Sequence, residues 1–390
     1  MMNMSIISLD KEYVAGTYGR FQVELVSGKG SVVTDVNGKE YIDMGSGIGV
    51  TAFGFGDEAW TSAVTAQLGK LQHTSNLYYT EPCAVLAKLL CEKTGLKKVF
   101  FGNSGAEANE CAIKVARKYS AEKKGDDCYT IITLVNSFHG RTLATLAATG
   151  QDVFHKLFQP LVPGFIHVPA NDISALEQAV AENKIAGIML ECVQGEGGVM
   201  PLTPEFVAAA DKLCKDNDIP LIIDEVQTGN GRTGALYAYM NFGIQPDIVS
   251  TAKGLGGGLP IGACMMGEKV QNVLGPGDHG STYGGNPVCC AGAISVIERI
   301  DEKLMAEVKE KSAYVFSALE NAPGVESVAG MGLMIGVKTT KPAREVVNAC
   351  IEKGVLCLTA KDKVRFLPAL NIPMEDLKKA VEAVKEACAE

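Results

Sequence analysis

Two short runs bring together residue types that can do chemistry. In Leu221-Ile222-Ile223-Asp224-Glu225-Val226-Gln227 a pair of carboxylates follows an apolar run. In Asp247-Ile248-Val249-Ser250-Thr251-Ala252-Lys253-Gly254 a lysine follows another apolar run, and Gly256-Gly257-Gly258 comes just after it. If both runs are strands of one parallel sheet, Asp224 and Lys253 lie at carboxyl ends, where such sheets bind ligands. Taken alone, Asp224 could be a metal ligand, a catalytic acid, an ion-pair partner for a cofactor, or a helix or loop cap. Lys253 is more telling. Glycines let backbone or ligand approach closely, so a lysine among them is not an ordinary solvated one. Desolvation lowers a lysine pKa and suits it to Schiff-base chemistry. A G-x-G-x-x-G nucleotide loop is a poor alternative, because Leu255-Gly256-Gly257-Gly258-Leu259-Pro260 is followed by no helix start.

A third run completes the set. Ser104-Gly105-Ala106-Glu107 has capping-box spacing, with the serine capping and the glutamate three residues on reaching back. Behind it Ala108, Cys111, Ala112, Val115, Ala116 and Tyr119 recur at helical spacing. Val99-Phe100-Phe101 before it reads as a strand. Strand, tight loop and helix start together offer free N–H groups and a positive dipole end to a phosphate, although any strand-loop-helix unit shares that outline. A strand-end aspartate, a strand-end lysine and a phosphate-ready helix complete one another. They point to pyridoxal phosphate, with the lysine on the aldehyde and the aspartate keeping the ring nitrogen protonated.

The elements that must position these residues follow from periodicity. From about Glu81 to Gly280, short apolar runs alternate with helical stretches, as in a parallel sheet covered by helices. The predicted strands are Val99–Phe101, Thr130–Val135, Gly187–Leu190, Leu221–Ile223, Ile248–Val249 and Ala263–Met266. Val32–Val36, the Asn37-Gly38 turn and Tyr41–Asp43 read as a hairpin. After about Val288 come a long helical stretch, strands at Gly332–Val337, Val355–Leu358 and Val364–Leu367, and a closing helix over Met374–Ala389. The expected division is an N-terminal segment at 1–45, a large domain at 46–287 and a smaller α/β unit at 288–390, which the N-terminal segment joins.

Composition narrows the class. The 390 residues are 47% hydrophobic and 21% charged, which excludes whole-chain disorder. A net charge of −9 argues against nucleic acid or an anionic membrane surface as partner. No apolar run approaches a spanning helix, and Met1–Asp10 shows no secretory signal. The 12 cysteines lack any C-x-x-C spacing, and with only 5 histidines and no H-E-x-x-H no metal site is expected. Scattered cysteines of this kind are expected to be buried and reduced, so the expected location is cytoplasmic.

These motifs resemble the class III, pyridoxal-phosphate-dependent aminotransferases of fold type I, most closely their acetylornithine branch. The resemblance runs through Thr17–Phe21, Asp35–Asp43 with Gly45–Ile48, His73–Tyr79, Asn103–Asn109, Ser137–Thr142 and Glu191–Gly198. It continues through Asp224–Gly229, Gly254–Gly262, His279–Pro287 and Val364–Pro368. The Asp224 and Lys253 blocks are specific for the class, and the Tyr18 and His73 blocks point to the branch. The resemblance implies a mostly parallel seven-stranded sheet between helices, plus a smaller α/β domain built from the C-terminal part and the N-terminal segment. It also implies a homodimer with shared active sites.

Residue by residue, the resemblance implies that Lys253 binds the cofactor aldehyde and then moves the substrate proton. It implies that Asp224 pairs with the ring nitrogen and Gln227 with the ring hydroxyl. Gly105 and Ala106, with Ser104 nearby, would hold the phosphate, and Phe138 would stack on the ring. Thr282, with Ser281, would reach phosphate or substrate from the neighbouring subunit. Arg141 matches the arginine for the α-carboxylate of N2-acetyl-L-ornithine and the side-chain carboxylate of L-glutamate. Arg365 matches a second arginine, for the α-carboxylate of glutamate or 2-oxoglutarate, with Glu196 neutralising it in the other half-reaction. Tyr18 matches a tyrosine near the substrate carboxylate.

Some positions favour plainer readings. Glu191 reads as a structural partner, and His73 and His139 as packing or ring-positioning groups. One stretch departs from the family, which commonly has Gly-His-x-His-Pro where this chain has Gly54-Phe55-Gly56-Asp57-Glu58. Ornithine, succinylornithine, N-succinyl-diaminopimelate and 4-aminobutyrate aminotransferases are close alternatives. A racemase or decarboxylase on the same scaffold would not need Arg365 and Glu196.

Overall fold

The structure, a computed structural model, describes residues 5–390. Residues 1–4, the start of the expected N-terminal segment, lie outside the described residues.

A seven-stranded sheet organises the chain, in the order Lys98–Gly102, Gly262–Met266, Ile248–Thr251, Leu221–Asp224, Ile185–Leu190, Thr130–Leu134, Phe165–Val168. Gly262–Met266 pairs antiparallel with both its neighbours, and the other pairings are parallel. Two successive reversals leave Lys98–Gly102 pointing the same way as Ile248–Thr251. The carboxyl ends of the strands that precede Ser104, Asp224 and Lys253 therefore share one edge. The seven-stranded, mostly parallel sheet agrees with the resemblance.

The sheet is buried on both faces, as parallel sheets are. Residues alternate sides with period two. Leu221 and Ile223 join a core with Leu86, Leu90 and Phe206, whereas Ile222 joins an opposite core with Cys111, Val115 and Ile248. Burying each such side chain contributes about 1.5–3 kcal/mol.

The edge strand Phe165–Val168 was not among the strands read from periodicity. Only its last residue is fully buried, so its apolar signal is short. The C-terminal strands differ in detail too. The run from Gly332 is the second arm of a hairpin, Val325–Met331 against Met334–Thr339. Gly332 turns between the arms at φ +57°, where an added Cβ would lie 2.5 Å from the Arg232 carbonyl oxygen. Val355–Leu358 splits into Val355–Leu356 and Leu358–Ala360, which join different sheets. The helix Met374–Ala389 has its expected bounds.

The N-terminal hairpin forms as expected, with Val33 opposite Tyr41. Its second strand, Glu40–Asp43, pairs in parallel with Val355–Leu356. Met44 shares a buried cluster with Val315, Phe366, Leu377 and Val381. The segment thus joins the C-terminal part in both hydrogen bonding and packing. No helix among the described residues is long and apolar enough to cross a membrane, and all twelve cysteines are free.

Candidate active site

Asp224 ends a fully buried strand and stands in register with Ser250 of the neighbouring strand. That neighbour runs on through Ala252 into a turn at Lys253–Leu255. Topology alone therefore sets Asp224 and Lys253 side by side. Both line a cavity of about 480 Å³, with Ser104, Gly105, Ala106, Phe138, Arg141 and Gln227.

Asp224 is 3% exposed. Its Oδ2 accepts from Asn109 Nδ2 at 2.7 Å and lies 2.8 Å from His139 Nδ1, and its Oδ1 accepts from the Val226 N–H at 2.9 Å. A carboxylate has about four acceptor positions, so one stays open on a group that lines the cavity. Burial opposes charge on His139, but the hydrogen bond and charge of Asp224 outweigh it and hold the imidazole pKa above its ordinary value. His139 Nε2 is buried without a partner among the described residues. Asn109 was missed in the sequence; its signal is an amide on the buried face of the helix Gly105–Lys124.

Lys253 forms no hydrogen bond or ion pair with a described side chain. Burial lowers its pKa, and the charge of Arg365 works the same way, against the pull of Glu196 and Asp224. Around it lie two more carboxylates. Glu191 accepts from the Phe138 N–H at 2.9 Å, and burial pushes its pKa up to about 7. Glu196 and Gln227 meet Arg365, which is 3% exposed: Arg365 Nη1 donates to Glu196 Oε1 at 2.5 Å and to Gln227 Oε1 at 3.0 Å. Burial works against the Glu196 charge, yet Arg365 holds its pKa below the ordinary value. Arg365 Nε has no partner among the described residues.

The helix Gly105–Lys124 begins at the cavity. Ser104 Oγ accepts from the Glu107 N–H at 3.2 Å. The reciprocal half of the box shifts by one residue, because the Glu107 carboxylate takes the N–H of Asn103 instead of Ser104. The next N–H groups of the first turn lack intrahelical acceptors. At Gly105 a Cβ would lie 2.6 Å from Val226 Cγ1, so glycine is what lets this turn approach the strand end. Arg141 forms no ion pair with a described residue; its guanidinium rests 4.0 Å over the Phe154 ring and 5.4 Å from that of Phe138.

Three expected site residues lie elsewhere in the single chain. Ser281 and Thr282 line a second cavity with His73 and Tyr79, although Ser281 Oγ accepts from Asn103 Nδ2 at the rim of the first. Tyr18 is exposed and lines a separate N-terminal cavity with Arg20. Among the described residues no group of His, Cys, Asp and Glu side chains is arranged to hold a metal ion.

A family model described as "Aminotransferase class-III" matches residues 13–388. The chain belongs to this family. It is similar to the acetylornithine aminotransferase of Haemophilus ducreyi, at 52% identity over 100% of both chains. Among solved structures it resembles the ornithine aminotransferase of Toxoplasma gondii, with a TM-score of 0.94 and 32% identity over 98% of this chain and 93% of that one. It also resembles the N-acetylornithine aminotransferase of Stenotrophomonas maltophilia, with a TM-score of 0.85 and 36% identity over 98% of each chain. As a class III aminotransferase it is a pyridoxal-phosphate-dependent transaminase of fold type I. The cavity suits that cofactor: an unpaired lysine, an open acceptor on a buried aspartate, a helix N-terminus and an aromatic ring converge on it.

Proposed function

We propose that this enzyme transfers the terminal amino group of N2-acetyl-L-ornithine to 2-oxoglutarate, giving N-acetylglutamate semialdehyde and L-glutamate, and that it serves arginine biosynthesis in the cytoplasm. The observation that carries the substrate is the full-length identity of 52% to an acetylornithine aminotransferase. Bound pyridoxal phosphate would supply a protonated ring that takes up the electron pair left when a proton leaves the substrate carbon.

The chain's own groups then have distinct tasks. Lys253 would hold the aldehyde and, when freed by the substrate amine, its Nζ would take the proton from the amine-bearing carbon; its lowered pKa leaves more of it in the basic form. Asp224, whose carboxylate Asn109 and His139 fix, would hold the proton on the ring nitrogen. Gln227 would donate to the ring hydroxyl, and Phe138 would stack against the ring. The N–H groups of Gly105 and Ala106, with Ser104, would hold the phosphate.

Two arginines divide the carboxylates. Arg141 has no competing carboxylate among the described residues and takes that of acetylornithine, with Tyr18 near it. Arg365 begins neutralised by Glu196, which suits an amine donor with no second carboxylate to place there. 2-Oxoglutarate requires Glu196 to withdraw, after which the guanidinium fork binds the α-carboxylate. The same site thereby accepts two unlike substrates in turn, by ping-pong kinetics.

We also propose that two copies pair. Leu77, Tyr78, Tyr79 and Tyr283 stand exposed beside the cavity that holds Ser281 and Thr282. Covering this apolar surface with a second copy would give Ser281 and Thr282 a route to the neighbour's phosphate or substrate.

Ornithine itself is the second reading, favoured by the TM-score of 0.94 to an ornithine aminotransferase. Steady-state kcat/KM with 2-oxoglutarate separates the two. N2-acetyl-L-ornithine is expected to exceed L-ornithine, N-succinyl-L-ornithine, N-succinyl-diaminopimelate and 4-aminobutyrate. A higher value for any of these would transfer the assignment to that substrate.

A further inference from the structure

The stretch Gly54–Glu58, where the chain departs from the family pattern, leads by contacts to the turn that carries Lys253. Asp57 caps the helix Glu58–Leu68 by accepting from the Trp60 N–H at 2.8 Å. The same carboxylate receives both terminal nitrogens of Arg299 at 2.9 Å, and Arg299 lies 3.9 Å over the Phe53 ring. This fixes Trp60, the single tryptophan of the chain. Its indole Nε1 donates to the Gly256 carbonyl at 3.0 Å, and the Gly256 N–H donates to the Lys253 carbonyl at 3.0 Å.

Lys253 needs such support. Its φ is +46°, a left-handed backbone that a residue other than glycine keeps only when its surroundings hold it there. Asn230 holds one side by donating to the Ala252 carbonyl at 3.1 Å. Trp60 holds the other. Its ring packs so closely that a Cβ on Gly257 would lie 2.8 Å from the indole nitrogen, and one on Gly292 2.9 Å. Gly258, Leu259 and Pro260 then go on to line the Lys253 cavity, whereas Trp60 does not.

We propose that Trp60, seated by Asp57 and Arg299, is a positioning residue for the reaction: its indole N–H clamps the turn that aims Lys253. This rests on the reading that Lys253 carries the cofactor. Trp60→Phe keeps the ring between Gly257 and Gly292 and deletes only the donor. Wild type and variant would be loaded with pyridoxal phosphate, and the visible absorption band titrated with pH. Thermal melting, kcat and KM for the amine donor would be read in parallel.

A loosened turn admits water to the nitrogen that Lys253 shares with the cofactor, and water favours its protonated, charged form, so the band's midpoint is expected to move to higher pH. Losing one hydrogen bond should lower kcat by roughly 2- to 10-fold with little change in KM. An unmoved midpoint with unchanged kcat, beside a lower melting temperature, would overturn the proposal. Should Trp60→Phe not fold, Asp57→Asn keeps the helix cap and breaks the charge pair to Arg299. The same upward shift, smaller, is expected there, and its absence would overturn the proposal as well. A wild-type protein with no visible band would instead overturn the parent reading of Lys253, and this inference with it.

Discussion

Arg365 and Arg141 show how differently one side-chain type can be surrounded, and the proposed division of carboxylates rests on that difference. Arg365 is buried and already paired with Glu196 and Gln227, whereas Arg141 rests on aromatic rings with no carboxylate partner among the described residues. Both arginines were legible in the sequence through the blocks that carry them. The pairing of Glu196 with Arg365 was implied by the resemblance and not by spacing, because the two lie far apart in the chain, and the further bond from Arg365 to Gln227 was not read at all. The division of labour predicts an asymmetric result for Arg365→Ala. A hydrogen bond to a charged group contributes about 1.5–3 kcal/mol, so the 2-oxoglutarate half-reaction should slow by roughly 10- to 100-fold. The acetylornithine half should change far less, and stopped-flow measurement of each half alone reads both. Equal damage to the two halves would remove the assignment.

The strand ends do the positioning at the scale of elements. The alternation of Leu221, Ile222 and Ile223 between two cores made that strand readable, and the strand in turn placed Asp224. Tyr18, Ser281 and Thr282 were readable as motif residues but lie off the Lys253 cavity in one chain. Nothing in local sequence reports a contact that a second chain would supply. Asn109 went unread because a buried amide in a helix has no spacing rule of its own.

The residue after Asp224 has a consequence of a different kind. Glu225 is fully buried, accepting from the Thr228 hydroxyl at 2.6 Å and the Tyr239 N–H at 2.9 Å. Burial raises its pKa to about 7 from the ordinary 4.5. A raised carboxyl pKa means that the folded state holds a proton which the unfolded state has lost, between those two values. Its contribution to stability is therefore full below about pH 4.5 and is lost as pH rises through about 7. Glu225→Gln stays neutral throughout. In melting experiments its stability relative to wild type should improve between about pH 5 and pH 8, by on the order of 3 kcal/mol. A difference that does not vary with pH would show that Glu225 is ionised in the folded protein.

At the scale of the whole molecule, distant parts of the chain meet at one cavity. The first turn of one helix and the ends of two adjacent strands line it, and a C-terminal strand reaches it through the bond from Arg365 to Gln227. Exposed Tyr78, Tyr79 and Tyr283 stand beside the cavity of Ser281 and Thr282, the surface on which the proposed pairing of two copies rests. On the proposed function, Lys253 anchors a cofactor that acetylornithine converts to its amine form and 2-oxoglutarate restores.

The most direct measurement is the absorption spectrum of the purified, pyridoxal-phosphate-loaded enzyme through single half-reactions with no oxo acid present. A yellow enzyme is expected, one that N2-acetyl-L-ornithine bleaches faster than L-ornithine does and whose colour 2-oxoglutarate brings back. A protein that stays colourless with pyridoxal phosphate supplied, or a yellow one that acetylornithine leaves unchanged, would contradict the proposed function.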